Sequence, residues 1–254
     1  MRTFKLTLAY DGTDYAGWQT QVDQSTVQSA LEAVLERITG ESIRTIASGR
    51  TDAGVHALGQ VVCFQSATRL TEEVLLRAIR AYLPPDVAVK SLEPAVDGFH
   101  AIRHAVSKRY RYVIADSSHK SVFERQYVWQ YPVALDLLSM SQAATALLGE
   151  HDFASFASSG SERKTTVRNV HHLTVERRVT MTFAGDAQRE HLVIEVEANG
   201  FLYNMVRNIV GTLVEVGRGV QPVSWVAEVL EKRDRRAAGP TAPAHGLYLV
   251  QVNY

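Results

Sequence analysis

Cysteine occurs once in these 254 residues, at Cys63, so no internal disulfide can form. A lone thiol inside the apolar run Val61-Val62-Cys63-Phe64 reads as a small core side chain and fits a reducing cytosol. An excess of charge is missing too, since 27 Lys and Arg offset 27 Asp and Glu. No global field therefore draws the chain to a polyanion, and any nucleic-acid contact has to come from a local basic stripe. No uncharged apolar segment is long enough to cross a bilayer, and no apolar stretch with a cleavage site precedes the first strand. HExxH, paired CxxC, GxGxxG and the P-loop lysine motif are all lacking. His100 and His104 have helical i,i+4 spacing, but no third ligand stands out; His171-His172 lies in an expected strand, where the two side chains diverge. These absences predict a soluble protein without an export signal, whose chemistry has to come from side chains without a metal.

What is present is a regular alternation of strand and helix patterns. Residues 3–10 place Phe4, Leu6, Leu8 and Tyr10 at the period of a half-buried strand. Ser25 and Gln28 form a capping box, after which Val27, Leu31, Val34, Leu35 and Ile38 trace one helical face ending at Gly40. Strands follow at 42–48 and 60–65, a helix capped by Thr71 runs to Tyr82, Pro84-Pro85 ends it, and 87–92 is a further strand. The order is β-α-β-β-α-β, the split βαβ unit.

The second half repeats the order without repeating the residues. Strands are expected at 127–133, 167–182, 191–198 and 247–252, with a turn containing Gly185-Asp186. Helices are expected from Leu137 to Leu148, ending at Gly149, and from Leu202 to Val216. Residues 107–115 add a joining strand. The expected fold class is therefore α+β: two ferredoxin-like (split βαβ) halves, 1–106 and 107–254, with antiparallel sheets joined edge to edge and a cleft between them.

Four stretches carry chemistry. Gly49-Arg50-Thr51-Asp52-Ala53-Gly54-Val55-His56-Ala57 places a carboxylate two residues after a guanidinium, between glycines that let another segment or a ligand approach. Such a carboxylate suits a nucleophile or general base, although the same residues could close a surface turn with a weak ion pair. Ser107-Lys108-Arg109-Tyr110-Arg111-Tyr112 interleaves tyrosines that can stack bases with arginines that can bind phosphate. Arg207 interrupts an apolar helix, either as a surface residue or as the partner of a carboxylate. Lys232, Arg233, Arg235 and Arg236 feed a Pro/Gly-rich loop, 239–246, that could close over an anionic polymer or simply be a solvated helix end. Residues 153–166 form a polar loop long enough to be mobile or functional.

Taken together, these residues resemble the bacterial tRNA pseudouridine synthase A family over almost the whole chain. Tyr10 to Gln19 is similar to the family's opening motif, Gly49 to Ala57 to its catalytic motif and Lys108 to Tyr112 to its second motif. Leu148 to Phe153, Asn199 to Leu213 and Ala238 to Leu249 match further blocks in the same order. The resemblance implies isomerisation of uridine to pseudouridine at positions 38–40 of the tRNA anticodon stem-loop, by base flipping and without a cofactor. It makes Asp52 the nucleophile, attacking either ribose or base, and Tyr110 the stacking platform. Arg50 and Arg207 would orient Asp52, or Arg50 would fill the gap left by the base. Leu247 or Leu249 would wall the uracil. It also implies a homodimer gripping one tRNA. One departure is Ile102 at the family's usual arginine position, with Arg103 next to it and facing the other way on a strand. Two other readings are a non-catalytic RNA-binding protein, which has no need of Asp52, and a glycosidase, which needs a second carboxyl such as Asp11 or Asp14.

Overall fold

The computed structural model describes residues 1–158, 165–179 and 190–254. The chain forms two compact units, Met1–Val106 with Tyr248–Tyr254, and Ser107–Leu247. Both mix helices with strands that pair mostly antiparallel. The first unit contains β1 (Arg2–Tyr10), α1 (Val27–Thr39), β2 (Ile46–Ala47), β3 (His56–Ser66), α2 (Glu72–Tyr82) and β4 (Val87–Pro94). Within it β1 lies between β4 and β3, antiparallel to both, and β2 pairs with β3. Phe4, Leu6 and Leu8 of β1 are fully buried, as are Val27, Leu31 and Leu35 of α1 and Leu75 and Ile79 of α2. Burial of each of these larger side chains contributes about 1.5–3 kcal/mol. Cys63 is buried, as its apolar run suggests.

Three local details differ from the sequence reading. The N-cap of α1 is Thr26, whose hydroxyl accepts the Ser29 N–H at 3.2 Å, while Gln28 is drawn into other bonds. β2 is only two residues long because the preceding backbone is taken by α1. Glu32 Oε1 accepts the Thr45 N–H (2.8 Å) and hydroxyl (3.0 Å), and the Gln28 amide donates to Thr45 O at 3.1 Å. β3 in turn starts earlier than expected, at His56. Its first residues pair parallel with β10 (Leu247–Asn253), Tyr248 opposite His56 and Leu249 opposite Ala57. Residues 248–254, expected in the second half, group with the first unit for this reason.

The second unit contains β5 (Ser107–Asp116), β6 (Trp129–Tyr131), α3 (Leu137–Ala144), β7 (Gly149–Asp152), β8 (Val167–Val179), β9 (Glu190–Ala198), α4 (Met205–Gly217) and α5 (Trp225–Lys232). Its strands run β5-β9-β8-β7 in antiparallel order, with β6 parallel to β5. α3 stops four residues short of expectation: a 3₁₀ turn, Thr145–Leu147, leads to Gly149 in the left-handed region. α4 begins at Met205, because Asn204 itself is left-handed (φ 59°). β7 and α5 were not anticipated. Residues 159–164 of the polar loop, residues 180–182 of the expected strand and the Gly185-Asp186 turn lie outside the described residues. A register shift at His171 disturbs the strand alternation there, and both His171 and His172 are exposed.

β5 is anchored at its end by Asp116, whose carboxylate receives two bonds from Arg177 (2.7 and 2.6 Å) and the Leu135 N–H (2.9 Å). Burial works to raise the Asp116 pKa, but Arg177 and the Leu135 N–H outweigh it and hold the group below the usual carboxylate range. A depressed folded-state pKa gives stability that is present above the unfolded value and lost as pH falls through the folded one. Asp116→Asn is therefore expected to lower unfolding free energy by about 1–3 kcal/mol at pH 7. Urea titrations should show that deficit shrinking below about pH 4.

Candidate active site

The loop from Gly49 to Val55 connects β2 to β3. It makes almost no regular backbone ladder, so its conformation has to come from outside contacts. Trp18 N–H donates to Thr51 O at 3.0 Å, and Val55 N–H donates to Asp52 O at 3.1 Å. The second bond closes a four-residue turn, 52–55, whose third residue Gly54 has φ +76°. Asp52 is half-buried, Arg50 exposed and Thr51 buried.

The partner of this loop is the segment after β1. Asp11 Oδ1 accepts the Thr13 N–H (3.0 Å) and hydroxyl (2.6 Å), which is the turn chemistry expected of Tyr10-Asp11-Gly12. Gly12 N–H donates to Nδ1 of buried His56 at 3.0 Å, and that nitrogen also lies 3.1 Å from Asp11 Oδ1. The His56 ring stacks on Tyr248, with centroids 4.9 Å apart. Two glycines are needed for so close an approach. A Cβ on Gly12 would overlap Val55 O, and one on Gly17, already at φ +97°, would meet Thr51 O at 2.6 Å. With its carboxylate engaged in this turn, Asp11 offers little to a two-carboxylate glycosidase.

Underneath lies a buried polar cluster that sequence reasoning missed. Gln60, fully buried on β3, donates from Nε2 to Gly49 O at 2.7 Å, and its Oε1 accepts the Ser48 hydroxyl at 2.8 Å. The Tyr10 hydroxyl lies 2.8 Å from Thr51 Oγ1 and 3.5 Å from Gln60 Nε2. Burial pushes the Tyr10 phenol up to about 12, against the lowering effect of those hydrogen bonds, so it stays neutral. The signal available in the sequence was a glutamine inside the apolar run from Leu58 to Phe64, since a buried polar side chain needs partners.

The remaining expected site residues distribute as follows. Leu249 is fully buried on β10 in the first unit. Tyr110, Arg207 and Leu247 belong to the second. Tyr110 is buried on β5 opposite Val196, its ring edge-on to Phe201 at 4.9 Å. Tyr112 is committed to structure: its hydroxyl donates to Pro243 O at 2.7 Å, and Gly246 packs against its ring. Arg207 is half-buried and donates from Nε to Ala242 O (2.7 Å) and from Nη1 to Asn204 Oδ1 (2.9 Å). Leu247 is buried at the start of β10.

The arginines considered for phosphate contact are placed as follows. Arg109 and Arg111 are not free cations, because Glu197 and Glu195 on β9 hold them at 2.6–2.9 Å across the sheet. In the 232–236 run, Arg235 donates inward to Asn208 Oδ1 and Thr241 Oγ1, both at 3.0 Å. Arg236 pairs with Asp234, and Arg233 lies 3.4 Å from Asp152. Arg103 sits in an exposed turn rather than on a strand, so strand facing does not decide its direction. Among the described residues, no group of three His, Cys, Asp or Glu side chains is placed to hold a metal ion, and no helix is long and apolar enough to cross a membrane.

Because Gly17 combines a left-handed backbone with contact against the loop, Gly17→Ala is expected to destabilise the protein by about 1–3 kcal/mol. Thermal melting checks this, and the change should cut activity further than the loss of folded protein accounts for.

A family model described as tRNA pseudouridine synthase matches residues 7–102 and 143–254, which include the loop, the 10–18 segment and α4. A tRNA pseudouridine synthase A of Myxococcus xanthus is 44% identical over 254 residues, covering 100% of this chain and 92% of its own. The protein of that name from a Thermoanaerobacter species is 41% identical over the full length of both chains. One from Chloroflexus aurantiacus is 46% identical over 257 aligned positions, covering 100% of this chain and 89% of its own. With full-length identity at this level, the chain belongs to the tRNA pseudouridine synthase family of isomerases.

Proposed function

We propose that this enzyme converts uridine to pseudouridine at positions 38–40 in the anticodon stem-loop of tRNA, with Asp52 as the nucleophile. The observation that carries this reading is a single half-buried carboxylate on a loop braced by glycine contacts and buried hydrogen bonds, in a chain that aligns end to end with tRNA pseudouridine synthases. The reaction is an isomerisation: the N1–C1′ glycosidic bond breaks, a C5–C1′ bond forms, and the proton on C5 is replaced by one on N1. No electrons enter or leave, so a carboxylate nucleophile suffices without a redox group. Asp52 could attack C1′ of the ribose or the base; either route needs the uracil out of its stack and the carboxylate aimed at it.

The other residues take roles that fit their chemistry. Tyr110, held edge-on by Phe201, serves as the face on which the extruded uracil stacks. Arg207, fixed by Ala242 and Asn204, orients the Asp52 carboxylate. Exposed Arg50 either assists it or fills the space the base leaves. Leu247 and Leu249 form an apolar wall for the ring. Each unit is read as a ferredoxin-like half. The strand order β4-β1-β3 with β2 beside β3 supports this for the first, and the antiparallel run β5-β9-β8-β7 supports it for the second. The protein acts in the cytoplasm as a homodimer that recognises one tRNA by shape and backbone, as is usual for helical RNA.

The test is incubation with unmodified anticodon-arm RNA followed by mapping of pseudouridine. The intact enzyme should convert its sites, and Asp52→Asn should lose about 10³-fold or more. Tyr110→Ala should lose about 10–100-fold through stacking, while Tyr110→Phe stays within about fivefold. RNA binding by the intact protein with no isomerised uridine would leave only the non-catalytic reading.

A further inference from the structure

Gln60 and Tyr10 do more than fill the core beneath the loop. We infer that they act together as positioning residues for Asp52, fixing residues 48, 49 and 51 just before it through uncharged hydrogen bonds. This rests on the reading of Asp52 as the nucleophile. Gly49 O is purely an acceptor, so it must face the NH₂ end of the Gln60 amide, which settles the amide's orientation. The opposite end, Oε1, then receives the Ser48 hydroxyl. One side chain thereby holds residues 48 and 49, just before Arg50.

Tyr10 holds Thr51, beyond Arg50. Its oxygen lies 3.5 Å from Nε2 of the same Gln60 amide and 2.8 Å from Thr51 Oγ1, with which it shares a hydrogen bond. Thr51 O is held separately by Trp18 N–H at 3.0 Å. The hydroxyl and the carbonyl of Thr51 are therefore both tied down in the residue directly before Asp52. Gln60 is fully buried and Tyr10 only 4% exposed, so neither can touch RNA and both must act through the loop. Loss of either would leave buried donors or acceptors unpaired and let the loop shift. A displacement of about 1 Å at a nucleophile is enough to cost on the order of a hundredfold in rate.

The experiment measures single-turnover rate and tRNA dissociation constant separately for Gln60→Met, Gln60→Glu, Tyr10→Phe and Asp52→Asn. Gln60→Met and Tyr10→Phe are expected to slow the chemical step by about 10–100-fold while changing tRNA affinity less than about threefold. Gln60→Glu presents an acceptor to Gly49 O when ionised and a donor when protonated. Its rate relative to the unaltered enzyme should rise as pH falls from 8 to 6, since burial raises a carboxyl pKa. Full rate in both Gln60→Met and Tyr10→Phe would overturn the inference, as would a loss confined to affinity or a flat relative pH profile for Gln60→Glu. Should Gln60→Met fail to fold, Tyr10→Phe, which removes one oxygen, decides. An active Asp52→Asn enzyme would instead remove the nucleophile reading itself, so the two failures are distinguishable.

Discussion

The approach of two backbone segments, 10–18 and 49–55, is the constraint on which the site depends. A loop that must display a carboxylate cannot spend its peptide groups on a strand ladder, yet its buried peptide groups still need partners. Here the partners come from the turn after β1: Trp18 N–H meets Thr51 O, and the ring of His56 at the start of β3 meets Gly12 N–H. Side chains on the 10–18 segment would push the two apart at Gly12 and Gly17, so small residues there set the distance as surely as the hydrogen bonds do. The sequence motifs at 10–19 and 49–57 are thus two halves of one structural object, although 29 residues (20–48) that include a helix separate them.

How much of this was legible beforehand follows from where each signal resides. Helix faces and strand alternation depend on local order, so β1, α1, α2, β4, β5 and α4 can be read from periodicity to within a few residues. Features set by distant partners cannot. β2 shrank because Glu32, on the preceding helix, captured the Thr45 backbone. Arg109 and Arg111 looked like phosphate binders because their neutralising carboxylates lie more than 80 positions away on β9. Asp52, Tyr110 and Arg207 were nameable from residue type and motif resemblance, whereas Gln60 was not, since its work is visible only once Gly49, Ser48 and Tyr10 surround it. β7, four residues of Gly-Glu-His-Asp, carries no hydrophobic period at all.

The corrected charge map changes how RNA recognition should be pictured. Net charge is zero, and several of the arginines that looked available are bonded to carboxylates or carbonyls of the protein itself. Such bonds orient a guanidinium without using all five of its donors, so a paired arginine can still present a fixed edge. What it cannot supply is the long-range attraction of an uncompensated basic patch. Recognition of an anticodon arm would then rest more on shape and directed contacts than on bulk charge, in keeping with an enzyme proposed to accept several neighbouring positions rather than one sequence.

The choice of groups beneath the loop has a related logic. An amide, a phenol whose pKa is pushed up to about 12, two hydroxyls and backbone carbonyls do the holding. None of them changes charge between about pH 5 and 9. A salt bridge in the same place would incur a desolvation cost and would respond to protons taken up or released during the reaction. A neutral scaffold keeps loop geometry independent of such events. In the proposed reaction, electrostatic work at Asp52 would fall to charged groups outside the clamp. If position and charge are governed by different residues, as proposed, a mutation in either set should leave a different kinetic trace.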